Sequence, residues 1–312
     1  MATDNPRRKN LLKIVVSVSA IGLLLNRIDV STLTQALARI HPSSAILLVL
    51  IYLSGQVVSA LRWAVVLAAA GINRPFGWIL RLYFGAMFFN LFAPSTFGGD
   101  AVRTYTVGSD GARHATAAAT VAFDRLSGLA TLCAIGSVAM AVGGTHGWPP
   151  VIGWTAAAIS VAIIAGPGWI VPVVMRRLPK SQGLAARFSG PGSNLWSSPR
   201  LWFRCCLASL VVHLHQIAAA LLIGHELGLG VTTAYYFVFH PFGIIFGALP
   251  ISFAGFGVRE VGYVWALAEV KSVPIETALA FGLTWSAIVL VASACGGLVV
   301  LFGGLEFKRP GR

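Results

Sequence analysis

The chain has 312 residues, 56% of them hydrophobic and only 11% charged, and its mean hydropathy of +0.79 excludes a soluble domain of ordinary composition and makes a bilayer the relevant solvent. The formal charge of +13 would suit nucleic acid, but the cations flank apolar runs. Attraction to anionic lipid head groups explains them, so nucleic acid is set aside as a partner.

Arg7, Arg8, Lys9 and Lys13 surround the start of the first apolar stretch, Leu11 to Leu25. Asn26 and Arg27 follow it in place of a small-residue cleavage site, so it reads as a retained anchor. Ala45 to Ala70 exceeds the roughly 20 residues that cross a bilayer and is the next predicted span. Trp78 to Ala93 is apolar as well, but it runs into the polar sequence NLFAPSTFGGDAVRTY at 90–105. Ala115 to Val142 is again a full span, with Asp124 and Arg125 inside it. Thr145 to Pro150 carries no Lys or Arg, Val151 to Met175 spans, and the loop 176–204 holds six basic residues and no acidic one. Cys205 to Leu227 is a span carrying His213, His215 and Glu226, which are candidate proton carriers or packing and hydrogen-bonding groups. Ala234 to Leu249 is apolar and runs into PISFAGFGVRE at 250–260, and Ala278 to Gly304 is the last span. The prediction is an all-α polytopic integral membrane protein with about six full spans and two interrupted segments, re-entrant or hairpin-like. Cys133, Cys205, Cys206 and Cys295 fall in or beside apolar helices without metal-type spacing, so they read as packing residues, and neither metal nor cofactor is expected.

The two polar breaks align without a gap. Pro94, Phe97, Gly99, Val102 and Arg103 fall on Pro250, Phe253, Gly255, Val258 and Arg259, an offset of 156 residues. The same offset carries the spans at 45–70 and 115–142 onto predicted helices, which indicates a repeat. The single transmembrane domain, 1–312, is thus divided into approximate repeats 10–145 and 150–305. Three full spans per half turn the second half upside down, and the excess of Lys and Arg places the 176–204 loop and both termini in the cytoplasm. Inverted repeats with Gly/Pro-interrupted helices at corresponding positions point to a transporter site near the midplane.

Backbone that leaves helical geometry inside a membrane is tolerated only against protein or a water-filled cavity. Pro94 ends one half-helix, Gly98 and Gly99 permit a tight turn, and Asp100 is placed to cap the short helix that follows. Gly255 and Gly257 serve the second break. Each half-helix N-terminus is expected to offer free N–H groups to an anion, while Arg103 and Arg259 grip a phosphate with guanidinium forks. Glu260 is grouped with this substrate site, and Arg62, Asp124 and Arg125 are its candidate supports.

The elements Arg62-Trp63, Asn90, Pro94, Gly98-Gly99-Asp100, Arg103, Asp124-Arg125-Leu126, Pro250 and Gly255 to Glu260 resemble the lysylphosphatidylglycerol synthase transmembrane, or flippase-like, family. That resemblance implies a lipid translocase fold. No ATP-binding loop, metal cluster or nucleophile elbow is found, and the chain runs only to Arg312, so neither an ATPase nor a synthase domain is expected. The reading is a non-enzymatic flippase of the cytoplasmic membrane for an anionic phospholipid or lipid-linked substrate. Membrane lipids with anionic head groups are its expected partners, with a separate lipid synthase as a further candidate. The alternatives are a membrane enzyme acting on a lipid phosphate and a non-transporting partner of a lipid synthase.

Overall fold

A computed structural model describes residues 29–92, 97–109, 114–165, 193–249 and 255–303. The expected span at Leu11 to Leu25, Pro94, Pro250, residues 176–192 of the basic loop and both termini lie outside these residues. Among the described residues every regular element is helical: α1 (Val30–Ala38), α2 (Pro42–Ala69), α3 (Phe76–Asn90), α4 (Phe97–Ser109), α5 (His114–Gly143), α6 (Pro150–Ala165), α7 (Ser193–Trp196), α8 (Pro199–Leu227), α9 (Thr233–Ala248), α10 (Val258–Val264) and α11 (Ile275–Gly303). A π-helical turn, Trp265–Glu269, extends α10.

Helices α2, α5, α8 and α11 are long and apolar enough to cross a membrane, so the protein is an all-helical, polytopic membrane protein. Of the six full spans expected, these four appear at full length among the described residues. Helix α6 has 16 residues and covers the first part of the expected Val151 to Met175 span. Helices α3 and α4, with 15 and 13 residues, measure about 22 and 20 Å at helical rise. Neither traverses a hydrocarbon core of roughly 30 Å.

Local chemistry sets the helix limits. Pro42 and Pro199 stand in the first turns of α2 and α8, where a missing N–H costs nothing, behind the side-chain caps His41 and Ser198. Both helices close with a backbone bond reaching back five residues, from Ile72 to Leu67 and from Leu229 to Gly224. The closures turn on Gly71 and Gly228, at φ 78° and 69°. Because α8 starts at Pro199, Arg200 and Arg204 are helical, and the basic loop is shorter than the expected 176–204.

Four pairs of helices recur at nearly constant spacing. The starts of α2 and α8, Pro42 and Pro199, are 157 residues apart, as are Phe76 of α3 and Thr233 of α9; Phe97 of α4 and Val258 of α10 are 161 apart, as are His114 of α5 and Ile275 of α11. Packing partners exchange under this correspondence: α2 lies on α8, α3 on α11 as α9 on α5, α4 on α5 as α10 on α11. Buried apolar side chains form two clusters. One joins Leu48, Met140, Ile217, Phe239 and Phe281; the other joins Trp63, Leu67, Ile79, Phe123 and Trp202. Since Leu48 and Trp63 lie toward opposite ends of α2, the clusters fill opposite ends of the bundle.

Candidate functional site

Between the two apolar clusters, three spanning helices carry polar stripes. Gln56, Ser59 and Arg62 run from the middle of α2 toward its C-terminal end, Asp124, Ser127 and Thr131 lie on α5, and Ser209, His213 and Gln216 lie on α8. Their spacings of three and four residues place each set on one face of a helix. Polar atoms at this depth must find partners inside the protein. The Arg62 guanidinium donates to Asp124 Oδ1 and to Ser209 Oγ, both at 2.7 Å, and so ties α2 to α5 and α8. His213 Nε2 pairs with the Gly128 carbonyl oxygen at 3.0 Å, and its Nδ1 lies 3.1 Å from Gln216 Oε1.

Helix α4 inserts Arg103 and Asp100 beside these groups. Arg103 donates to Asp124 Oδ2 at 2.8 Å, reaches Asp100 at 3.4 Å, and places its guanidinium carbon 4.0 Å from the Trp63 ring and 4.8 Å from the Tyr83 ring. Asp100 accepts from two nitrogens of Arg125, at 2.8 and 3.1 Å. The result is a continuous chain, Arg62–Asp124–Arg103–Asp100–Arg125, whose alternating signs let five ionised groups share the low-dielectric interior. Exposure grades along it: the Asp124 side chain is 1% exposed, that of Arg125 45%.

This chain lines a cavity of about 500 Å³ that also receives Arg259 from α10. Arg103 and Arg259, which the sequence pairs only by analogy, therefore face one space. Four arginines and two aspartates line it, together with apolar side chains such as Leu129, Leu132 and Val289. Arg259 donates to Ser286 Oγ at 3.2 Å, and Ser286 Oγ in turn donates to Glu260.

Several expected roles are different in the folded chain. Gly98 and Gly99 belong to the first turn of α4 and form no left-handed turn; Gly99 is instead where α4 approaches α3. A Cβ on Gly99 would lie 2.3 Å from the Ala86 carbonyl oxygen. Asp100 stands inside α4 and binds Arg125 rather than capping the helix. Two of the N–H groups at these helix starts have protein acceptors: Gly99 N–H donates to Asn90 Oδ1 at 2.7 Å and Gly257 N–H donates to Glu260 Oε2 at 2.6 Å. Glu260, 1% exposed, thus caps α10 from behind the cavity wall. Gly98, Gly255, Gly257 and Glu260 do not line the cavity, whereas Gly99, Asp100, Arg103, Arg259, Arg62, Asp124 and Arg125 do. Gly255 and Gly257 do adopt the left-handed backbone, at φ 84° and 82°.

The Gly99 contact has a direct consequence for stability. Gly99→Ala is expected to lower the melting temperature of the detergent-solubilised protein by forcing α3 and α4 apart, an overpacking cost of about 1–3 kcal/mol. Gly136→Ala, where nothing lies within 4 Å of the new Cβ, is expected to hold or raise it. Equal melting temperatures would remove the close-approach explanation.

Glu226 reads in the sequence as a candidate proton carrier, but here it is a clasp. Its two oxygens accept from the His41 N–H and the Ser44 hydroxyl, both at 2.8 Å, so the end of α8 holds the start of α2. Glu226→Ala is expected to lower the melting temperature more than Glu226→Gln, which keeps an acceptor; identical unfolding of both variants would argue against the clasp. His215 bonds locally, its Nδ1–H donating to the Val211 carbonyl oxygen at 2.8 Å, while His213 lines the cavity. Sequence reasoning missed Gln56, Ser59, Ser209 and Ser286, although the three- and four-residue spacing of polar groups in apolar helices was available as a signal.

The family model for the lysylphosphatidylglycerol synthase TM region matches residues 10–297. No curated protein matches the chain.

Proposed function

Because the chain belongs to the lysylphosphatidylglycerol synthase TM region family, a family of multi-pass membrane proteins tied by its name to lipid modification, we propose that it is a flippase. It moves an anionic phospholipid or lipid-linked substrate across the cytoplasmic membrane. The observation that carries this reading is the cavity between the two apolar clusters, where four arginines face two aspartates beside apolar side chains. Such a space suits a negative head group on the polar side and acyl chains on the other.

In this proposal the halves are inverted repeats, both termini are cytoplasmic, and α3–α4 and α9–α10 are the interrupted segments. The paired starts and exchanged packing partners of the two halves support the repeat. In this reading the protein is not an enzyme, and the two cavity aspartates, each held by two arginines, serve to position those arginines.

Reconstitution into liposomes tests the proposal. A fluorescent phosphatidylglycerol in the inner leaflet is expected to become accessible to an external quencher only in vesicles containing the protein. Protein-independent quenching for every phospholipid tried would overturn the flippase. Topology is tested in parallel with single cysteines in a variant lacking the four native ones: Gly183→Cys is expected to label from the cytoplasm and Ser272→Cys from outside. Labelling of both from one side would remove the inversion.

A further inference from the structure

We propose that the cavity selects phosphodiester head groups that bear hydroxyls and no ammonium, a phosphoglycerol or phosphoinositol class, over aminoacylated and other ammonium-bearing head groups. The proposal rests on the lipid-handling reading above and names the substrate class of the same site.

The first argument is charge. All four carboxylate oxygens that line the cavity are already engaged: Asp124 by Arg62 at 2.7 Å and Arg103 at 2.8 Å, and Asp100 by Arg125 at 2.8 and 3.1 Å and Arg103 at 3.4 Å. Glu260, the acid nearest Arg259 in the chain, turns to Ser286 and the Gly257 N–H and does not line the space. An entering ammonium would meet four guanidinium groups and two carboxylates that are each already shared by two of them, so like-charge repulsion outweighs attraction.

The second argument is hydrogen bonding. Gln56 and Ser59 line the cavity at 8% and 3% exposure, and neither side chain has a hydrogen-bond partner among the described residues. Buried amides and hydroxyls normally have partners. A carboxamide beside a hydroxyl offers both donors and acceptors, which match a polyol better than they match a phosphate, an acceptor alone. Arginines for the phosphate and Gln56 with Ser59 for the hydroxyls thus divide one head group between α4, α10 and α2. A space of about 500 Å³ lies within the range of sites that enclose a whole small ligand.

Binding is measured on the full-length protein in detergent with lipids of identical acyl chains. Phosphatidylglycerol and phosphatidylinositol are expected to bind at least about tenfold tighter than aminoacylated phosphatidylglycerol or phosphatidylethanolamine, from like-charge exclusion. Gln56→Ala is expected to weaken the two hydroxylated lipids while leaving phosphatidic acid unchanged. Gln56→Glu, which adds a carboxylate with no arginine assigned to it, is expected to shift preference toward the ammonium-bearing lipids. Free glycerol phosphate is expected to compete at least about tenfold less well than the lipid, since the apolar wall carries the tails; equal potency would replace the lipid by a soluble phosphate ester. Equal or tighter binding of the ammonium-bearing lipids to the unsubstituted protein, or an unchanged preference in both Gln56 variants, would overturn the proposal. Binding is read without transport: selective binding without lipid movement sinks the flippase alone, and movement without selectivity sinks this inference alone.

Discussion

Asp124→Ala is expected to destabilise the protein by about 3–5 kcal/mol, because it leaves two buried guanidinium groups without their shared counter-ion. Asp124 binds Arg62 and Arg103 through separate oxygens, and all three side chains are no more than 7% exposed. Asp100→Ala removes a carboxylate from the same chain of charges at the more exposed end, where Arg125 is 45% exposed and can turn toward water or head groups. Its cost is expected to be smaller, within the range of about 0–1 kcal/mol for exposed pairs plus the weaker Arg103 contact. Thermal unfolding in a single detergent distinguishes the two. The triple variant Asp124→Leu, Arg62→Leu, Arg103→Met is expected to recover much of the lost stability while losing function, since removing every charge also removes the desolvation penalty. Equal destabilisation by Asp124→Ala and Asp100→Ala would show that burial does not set the strength of this chain.

The sequence alone made the main helices legible, for a physical reason: a lipid solvent demands long apolar runs, and departures from them stand out. Arg62, Asp124 and Arg125 are conspicuous for that reason, as is the spacing that relates Arg103 to Arg259. What could not be read was the destination of each polar group. Gly99 and Gly255 occupy matched sequence positions and both are met by the backbone of the preceding helix, a Cβ lying 2.3 Å from the Ala86 carbonyl oxygen or 2.6 Å from that of Gly247, yet only Gly255 also has a positive φ, 84°. Glu260 follows an arginine and looks like its partner, but its carboxylate caps α10. The free helix N-termini were expected from backbone geometry alone, and the acceptors that occupy them, Asn90 and Glu260, come from side chains whose direction no periodicity encodes. Gln56 and Ser59 were passed over because uncharged polar residues are common in spanning helices, and their importance appears only when no partner is found for them among the described residues.

The arginines of the two breaks should separate stability from transport. Arg103 neutralises Asp124 and stacks on Trp63 and Tyr83, so Arg103→Ala is expected to cost both folding and function. Arg259 donates to a neutral hydroxyl, Ser286, and Glu260 beside it keeps the Gly257 N–H and the Ser286 hydroxyl as donors. Arg259→Ala is therefore expected to yield a folded, membrane-inserted protein whose lipid movement falls to the level of empty liposomes. Arg259→Lys is expected to restore part of it, because an ammonium keeps the charge and loses the bidentate fork. The surrounding backbone provides an independent handle: a Cβ at Gly247 would lie 2.6 Å from Arg259 Nε, and one at Gly255 would lie 2.6 Å from its Nη2. Gly247→Ala should thus displace the guanidinium without deleting it, and transport is expected to fall while the melting temperature changes less than in Gly99→Ala, where the clash is with backbone. Normal lipid movement in Arg259→Ala, with the protein confirmed folded, would remove Arg259 from the head-group site and leave the cavity to Arg62, Arg103 and Arg125.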